Sequence, residues 1–133
     1  MNPVFADTSF YVATVNPRDA LCEAALAASD RCDGQFVTTE YILVELGNYF
    51  CSGNRELFLK LVALMEDDPH TEVVSASTEL FKEGVELYSS RHDKDWSLTD
   101  CISFVVMKQR GISGALTSDR HFEQVGFRAL LRH

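Results

Sequence analysis

Short apolar segments alternate with helical patterns along the 133-residue chain. Each apolar segment is followed by a longer stretch whose apolar residues recur at helical spacing. Strands that are separated by helices pair in parallel, and the helices cover both faces of the sheet. We therefore expect one domain over residues 1–133, an α/β fold with a doubly wound, mostly parallel sheet of four to five strands. The expected strands are Val4–Ala6, Gln35–Val37, Glu72–Val74, Ala115–Thr117 and, as a candidate fifth, Phe127–Leu130.

Helix signals fill the segments between these strands. Proline is tolerated in the first turn of a helix, threonine caps helix starts, and glycine ends helices. The last long helix is the most apolar, so we expect it to lie centrally, with Gly111 at its end. The first helix should begin at Thr8 or Ser9, and the next should span about Pro17–Arg31, with a turn at Asp33-Gly34 after it. The others should run from a cap at Thr38 or Thr39 to about Cys51, and over Asn54–Glu66, Ser77–Ser90 and Leu98–Arg110.

Three carboxylates stand where strands end or helices begin. Asp7 follows the first strand, Asp119 follows the fourth, and Asp100 precedes the apolar run Cys101–Met107. The functional site of a parallel sheet lies beyond the carboxyl ends of its strands, so Asp7 and Asp119 should both point there. Acids gathered at such an edge most often hold a hard divalent cation, because Mg²⁺ prefers oxygen ligands.

Each of these acids also has a purely structural interpretation. Asp7 and Asp119 can cap the helices that follow them. The segment Ser97-Leu98-Thr99-Asp100 matches a capping box, and this motif alone favours capping for Asp100. The two roles are compatible, because one carboxylate oxygen can cap a helix while the other faces a metal.

Glu45 is the acid that a structural role explains worst. Ile42, Leu46 and Tyr49 share or flank its face of the predicted helix, which should be the buried face. An unpaired carboxylate there is destabilising or takes up a proton, and no Lys or Arg lies within one helical turn. A metal shared with the other acids is therefore the favoured explanation.

The net charge of −8 is unusual for a protein that binds nucleic acid. The charge is unevenly distributed: residues 1–81 contain 4 Lys and Arg against 13 Asp and Glu, whereas residues 82–133 contain 8 against 7. We therefore expect the C-terminal part to face phosphates. Its basic residues include Arg91, Lys94, Lys108, Arg110, Arg120 and Arg128.

Cysteine usage and hydropathy indicate the compartment. The cysteines form no C-x-x-C pair, and we expect Cys51 and Cys101 to be buried thiols rather than zinc ligands or disulfides. No apolar stretch is long enough to span a bilayer, and Met1–Val4 lacks the features of a signal peptide. These features predict a cytoplasmic protein with no membrane contact.

Taken together, the motifs resemble those of PIN-domain proteins, in particular the VapC-like toxin ribonucleases of type II VapBC toxin–antitoxin pairs. The matching segments cover essentially the whole chain; they are Phe5–Ser9, Thr38–Leu46, Trp96–Cys101, Ala115–Phe122 and Gly126-Phe127. The resemblance implies a PIN-like sheet whose acids bind Mg²⁺ or Mn²⁺ and catalyse endonucleolytic cleavage of RNA. The positions that match the acids of the family are Asp7, Glu45, Asp100 and Asp119.

Phosphodiester hydrolysis gives these acids distinct roles. It needs a nucleophilic water and stabilisation of the leaving oxygen, and one or two Mg²⁺ ions supply both. We assign Asp7 and Asp100 as the central metal ligands. Glu45 should hold the metal or orient the attacking water. Asp119 should bind through water or form a second metal position.

Other polar residues receive weaker assignments. The hydroxyls of Thr8 and Thr117 are expected to support the acids. Trp96 could stack on an RNA base, but packing is the favoured interpretation. His121 could contact a phosphate, and Asp93 and Asp95 could extend the acidic site, but solvation is the default interpretation of all three.

The leading prediction is a Mg²⁺- or Mn²⁺-dependent endoribonuclease that cleaves single-stranded or structured RNA, the toxin of a toxin–antitoxin pair. A small antitoxin would neutralise it, and the apolar helix pair over 39–66 should contribute to a homodimer. One alternative is a metal-dependent phosphatase, although the segment after Asp7 lacks the D-x-D pattern of the haloacid-dehalogenase type. The other is a catalytically silent PIN-like scaffold that binds RNA or protein, against which the intact set of acids argues.

Overall fold

Five strands and seven helices alternate in the computed structural model, which describes residues 3–32 and 34–132. The strands are β1 (Val4–Ala6), β2 (Phe36–Thr39), β3 (Thr71–Val74), β4 (Gly114–Leu116) and β5 (Arg128–Ala129). The helices are α1 (Thr8–Val15), α2 (Cys22–Arg31), α3 (Glu40–Tyr49), α4 (Arg55–Asp67), α5 (Thr78–Ser90), α6 (Leu98–Arg110) and α7 (Arg120–Val125). Within these residues, no helix has the length and apolar character needed to cross a membrane.

The five strands form one parallel sheet in the order β3-β2-β1-β4-β5. The chain winds outward from β1 through β2 to β3, and then returns to place β4 on the other side of β1. The strand order therefore reverses between β1 and β4, which is where ligands bind in doubly wound sheets. Asp7 follows β1 and Thr117 follows β4, so both residues lie at this switch point. The predicted doubly wound sheet is confirmed.

Aromatic side chains join the central helix α6 to the sheet. The ring of Phe104 on α6 meets that of Phe122 edge-on at 4.9 Å, and Phe122 lies 6.3 Å from Phe5 of β1. Trp96 packs edge-on against Phe104 at 5.2 Å, and its Nε1 donates to Gln124 Oε1 at 2.8 Å. The packing role predicted for Trp96 is confirmed. This core fixes α6, and with it Asp100, against the switch point.

The predicted threonine cap of α3 and the predicted glycine at the end of α6 are confirmed. Thr39 caps α3, because its hydroxyl accepts a hydrogen bond from the Ile42 amide at 3.2 Å. Gly111 ends α6 in the left-handed conformation, with φ of 66°. Cys101 is buried, but Cys51 is exposed, so the prediction for Cys51 was wrong. Cys51 lies in the turn beyond the end of α3, outside the buried face of that helix.

Helix α2 begins at Cys22 and not at the predicted Pro17. The Asn16 side chain accepts a hydrogen bond from the Arg18 amide, and the Asp19 side chain accepts one from the Leu21 amide. Short polar side chains of this kind stabilise turns in competition with a helix, which explains the late start. Of the predicted segments, Asp33 in the turn and Met1 and Asn2 at the N-terminus lie outside the described residues.

The close packing of α5 on α6 makes Gly84 a sensitive position. A Cβ at Gly84 would lie 2.4 Å from Cγ1 of Ile102, a side chain that is 2% exposed. We expect Gly84→Ala to destabilise the protein by about 1–3 kcal/mol through overpacking, although alanine is the better helix former by about 1 kcal/mol. Urea denaturation checks this, with Glu86→Ala on the exposed face of α5 as the control; a stabilised Gly84→Ala variant would contradict it.

Candidate active site

Asp7 is the most buried acid at the switch point. Its residue exposure is 7%, and its Oδ2 accepts a hydrogen bond from Thr117 Oγ1 at 2.8 Å. Burial raises the pKa of Asp7 to about 7, with the Thr117 hydrogen bond opposing and the charges of Asp100 and Glu45 adding. Asp7 occupies the N-cap position of α1, but its side chain makes no capping hydrogen bond. The structural interpretation of this carboxylate is therefore not realised.

Glu45 projects from α3 toward the same place. The Thr8 hydroxyl at the start of α1 donates a hydrogen bond to Glu45 Oε1. Ile42 and Leu46 are fully buried, but Glu45 is only half-buried and Tyr49 is 60% exposed. The expectation that Glu45 lies on the buried face was wrong. The acid stands at the edge of that face, where α3 borders a cavity, and a hydroxyl from α1 is its partner.

Asp100 combines the two roles that the sequence left open. Its amide donates to Ser97 Oγ at 3.0 Å and its Oδ2 accepts from the Ser97 amide at 3.2 Å, which completes a capping box. The same Oδ2 lies 3.0 Å from Nδ1 of His121. Burial raises the pKa of Asp100, and the charge of Asp119 adds to this, whereas the hydrogen bond with His121 opposes it.

Asp119 and His121 come from the loop after β4 and the first turn of α7. Asp119 Oδ1 accepts a hydrogen bond from the His121 amide at 2.8 Å, which caps α7. Nδ1 of His121 lies 3.3 Å from the same oxygen. Its side chain is only 19% exposed, so the expectation that His121 is solvated was wrong. One ligand atom from each of Asp100, Asp119 and His121 lies within 4.8 Å of the others, a spacing that could hold a metal ion.

All four predicted acids line one open cavity of about 620 Å³. The structure therefore brings together acids that follow β1 and β4 with acids from α3 and α6. The hydroxyls of Thr8 and Thr117 support Glu45 and Asp7, as expected. Asp19 and Asp95 also line the cavity. The sequence analysis did not include Asp19, and it gave extension of the acidic site as the alternative to solvation for Asp95.

The donor set fits a hard divalent cation. Carboxylate oxygens are the ligands that Mg²⁺ and Mn²⁺ prefer, and the cavity is wide enough for the water molecules that Mg²⁺ retains. Burial and, to a smaller extent, the like charges of Asp100 and Glu45 raise the pKa of Asp7, and a bound cation would oppose both effects.

Comparison with known proteins decides the family. The PIN-domain family model matches residues 4–128. The chain belongs to the PIN-domain family. PIN domains are metal-dependent nucleases, so the predicted family and class of enzyme are confirmed.

The relatives agree with this assignment over nearly the full chain. The chain is 30% identical over 128 residues to the 23S rRNA-specific endonuclease VapC20 of Mycobacterium tuberculosis, strains CDC 1551 and H37Rv, covering 93% of this PIN domain and 95% of that protein. The crystal structure of VapC20, a Sarcin-Ricin loop cleaving toxin, superposes with a TM-score of 0.85 at 23% identity, again over 93% and 95% of the two chains. The crystal structure of VapBC2 from Rickettsia felis, bound to a DNA fragment from its promoter, superposes with a TM-score of 0.65 at 13% identity over 96% of each chain.

Proposed function

We propose that this PIN domain is a Mg²⁺- or Mn²⁺-dependent endoribonuclease that cleaves single-stranded or structured RNA, and that it is the toxin of a toxin–antitoxin pair. The observation that carries the proposal is the convergence of Asp7, Glu45, Asp100 and Asp119 on one cavity at the switch point of the sheet. The named activity of the VapC20 relative supports RNA as the substrate. The intact set of acids favours a cutting enzyme over a silent scaffold.

We assign each acid a metal-binding role according to its burial. Asp7 and Asp100 are the deepest, and we assign them as the direct ligands of the cation. The side chain of Asp119 is more exposed, at 34% against 13% for Asp100, so we assign Asp119 a contact through water. When bound, the cation offsets the charge that develops on the phosphate during hydrolysis.

We assign Glu45 the orientation of the attacking water. The hydroxyl of Thr8 occupies Oε1 and fixes the carboxylate, which leaves Oε2 as an acceptor for a water proton. The fully buried Thr117 holds Asp7 in the same way, by donating a hydrogen bond to Oδ2. We therefore assign these two hydroxyls the role of positioning the acids.

The apolar face of α3 and α4 supports a homodimer and an antitoxin-binding role. On α4, Leu61 and Met65 are buried, but Leu64 is 69% exposed. On α3, Val44 is 62% exposed. A helix with apolar residues on more than one face is usually covered by a second partner. We assign this face to a second copy of the chain and to a segment of a small antitoxin.

The test is cleavage of purified transfer, messenger and ribosomal RNA in Mg²⁺. We expect internal cuts in RNA and none in duplex DNA, because the acidic chain disfavours long duplexes. EDTA and the variant Asp100→Asn should each abolish the cuts. Cleavage that survives both controls comes from a contaminant, and absence of cleavage on every RNA with metal bound would favour the silent scaffold.

A further inference from the structure

A second, basic cavity adjoins the acidic one. It has a volume of about 400 Å³ and is lined by Arg91, His92 and Lys94 together with Tyr88 and Trp96. Asp95 lines both cavities, so the two lie side by side. We call this second space the basic cavity.

Two contacts orient Arg91, which lines the basic cavity. The guanidinium of Arg91 donates to both oxygens of Asp93, at 2.9 and 3.0 Å, and lies 5.0 Å from the centre of the Trp96 ring. Trp96 is itself fixed by Phe104 and by the hydrogen bond to Gln124. The contacts with Asp93 use two of the five N–H donors of Arg91, so three donors remain for an anion in the cavity.

Arg91 and Lys94 place two positive charges in the lining of the basic cavity, and Asp95 places one negative charge there. The amide of Lys94 donates to the carbonyl of Arg91 at 3.2 Å, which keeps the two basic residues in one turn. Among the described residues, the ammonium of Lys94 makes no ion pair within 4.0 Å. Tyr88, at the end of α5, is 54% exposed and offers an aromatic surface beside these cations.

We propose that the basic cavity binds the RNA strand next to the cleavage site, with Arg91 and Lys94 on a backbone phosphate and Tyr88 stacked on an unpaired base. This inference rests on the proposed ribonuclease function. The chain is strongly acidic around the cleavage site, so an RNA strand needs a local cation to stay there. Cations beside an exposed aromatic ring are the combination that single-stranded RNA recognition uses.

The test removes the central ion pair without changing the net charge. In the double variant Arg91→Gln/Asp93→Asn, we expect KM for a short single-stranded RNA to rise about tenfold, with kcat changed less than about twofold. The matched control is Glu72→Gln/Arg110→Gln, which removes the other bidentate pair, 2.6 and 2.8 Å long, on the far end of α6. Both double variants keep the net charge of the protein, so a difference in KM between them cannot come from a change in overall charge.

Two single variants keep the test decisive if the double variant does not fold. Lys94→Gln should flatten the dependence of log affinity on log salt by about 0.7, the value for one phosphate contact on a single strand, whereas Lys82→Gln on the exposed side of α5 should not. Tyr88→Ala should weaken the affinity for a fluorescently labelled RNA, measured in a buffer that contains Ca²⁺. Tyr88→Phe should bind this RNA as tightly as the wild type does. If the wild type cuts no RNA, the proposed function fails. If it cuts RNA but these variants match their controls, the basic cavity does not bind RNA and an acidic peptide becomes its expected ligand.

Discussion

Replacing Asp7 by asparagine is expected to abolish RNA cleavage and, at the same time, to stabilise the metal-free protein at pH 8. The amide cannot serve as an anionic metal ligand, so we expect activity to fall by on the order of 10³-fold. The charged form of Asp7 is buried beside Asp100 and Glu45, and its pKa lies near 7. At pH 8 the wild type must carry this buried charge, and the neutral amide removes it. We expect a gain of on the order of 3 kcal/mol in the free energy of unfolding.

Asp95→Asn is the matched control, because it makes the same change in an exposed acid of the same cavity. It should leave the free energy of unfolding within about 0.5 kcal/mol of the wild type. Cleavage is measured on a synthetic RNA in Mg²⁺, and stability by urea denaturation in EDTA. An Asp7→Asn variant that retains cleavage would remove Asp7 from the active site. A variant that is less stable than the wild type at pH 8 would show that the carboxylate serves the fold.

The fold and the acids were predictable because both follow from short-range patterns. The apolar segment before Asp7 and the one before Asp119 are strands, and parallel strands place the residues after them at one edge of a sheet. Asp100 was ambiguous for a physical reason that the structure explains. Its carboxylate caps α6 and faces His121 with the same oxygen, so the capping motif and the site motif are the same residues.

The contacts between distant segments could not be predicted from the sequence. His121 reaches Asp100 across 21 positions, and Thr8 reaches Glu45 across 37. No local pattern encodes either distance, because both depend on how α6 and α3 pack against the loops after β4 and β1. Glu45 lines the acidic cavity, but the reason for expecting it there was incorrect, because Glu45 borders the core and is not inside it.

The start of α2 is a different kind of error, because a local signal was present. Asn16 and Asp19 each accept a hydrogen bond from the amide two residues later. Short polar residues at that spacing favour turns, whereas Pro17 alone favours a helix start. The turn signal prevailed because each side chain satisfies an amide that a helix would otherwise leave unpaired. Asp19 is brought to the edge of the acidic cavity as a result.

The metal-free protein is expected to become less stable as the pH rises from 5 to 7. The folded state keeps the proton on Asp7 up to about pH 7, whereas the unfolded state loses it near pH 3.8. Between these values the folded state binds more protons, so the free energy of unfolding falls with pH and levels off above 7. The raised pKa of Asp100 acts in the same direction. The lowered pKa values of Asp68, Glu72 and Asp93 act in the opposite direction, but only in more acidic solution.

Mn²⁺ should reverse this loss, because a cation replaces the proton on Asp7 and binds more tightly once that proton has left. At a concentration of 100 times Kd it should stabilise the protein by about 2.7 kcal/mol at pH 8, and by much less at pH 5. Thermal melts at both pH values, with and without millimolar Mn²⁺ and with ionic strength matched by NaCl, measure the effect. Asp7→Asn is the control, because it should flatten the pH dependence and weaken the response to Mn²⁺. If the melting temperature of the wild type changes neither with pH nor with Mn²⁺, Asp7 neither carries a buried charge nor binds a cation. The assignment of the metal site would then be wrong.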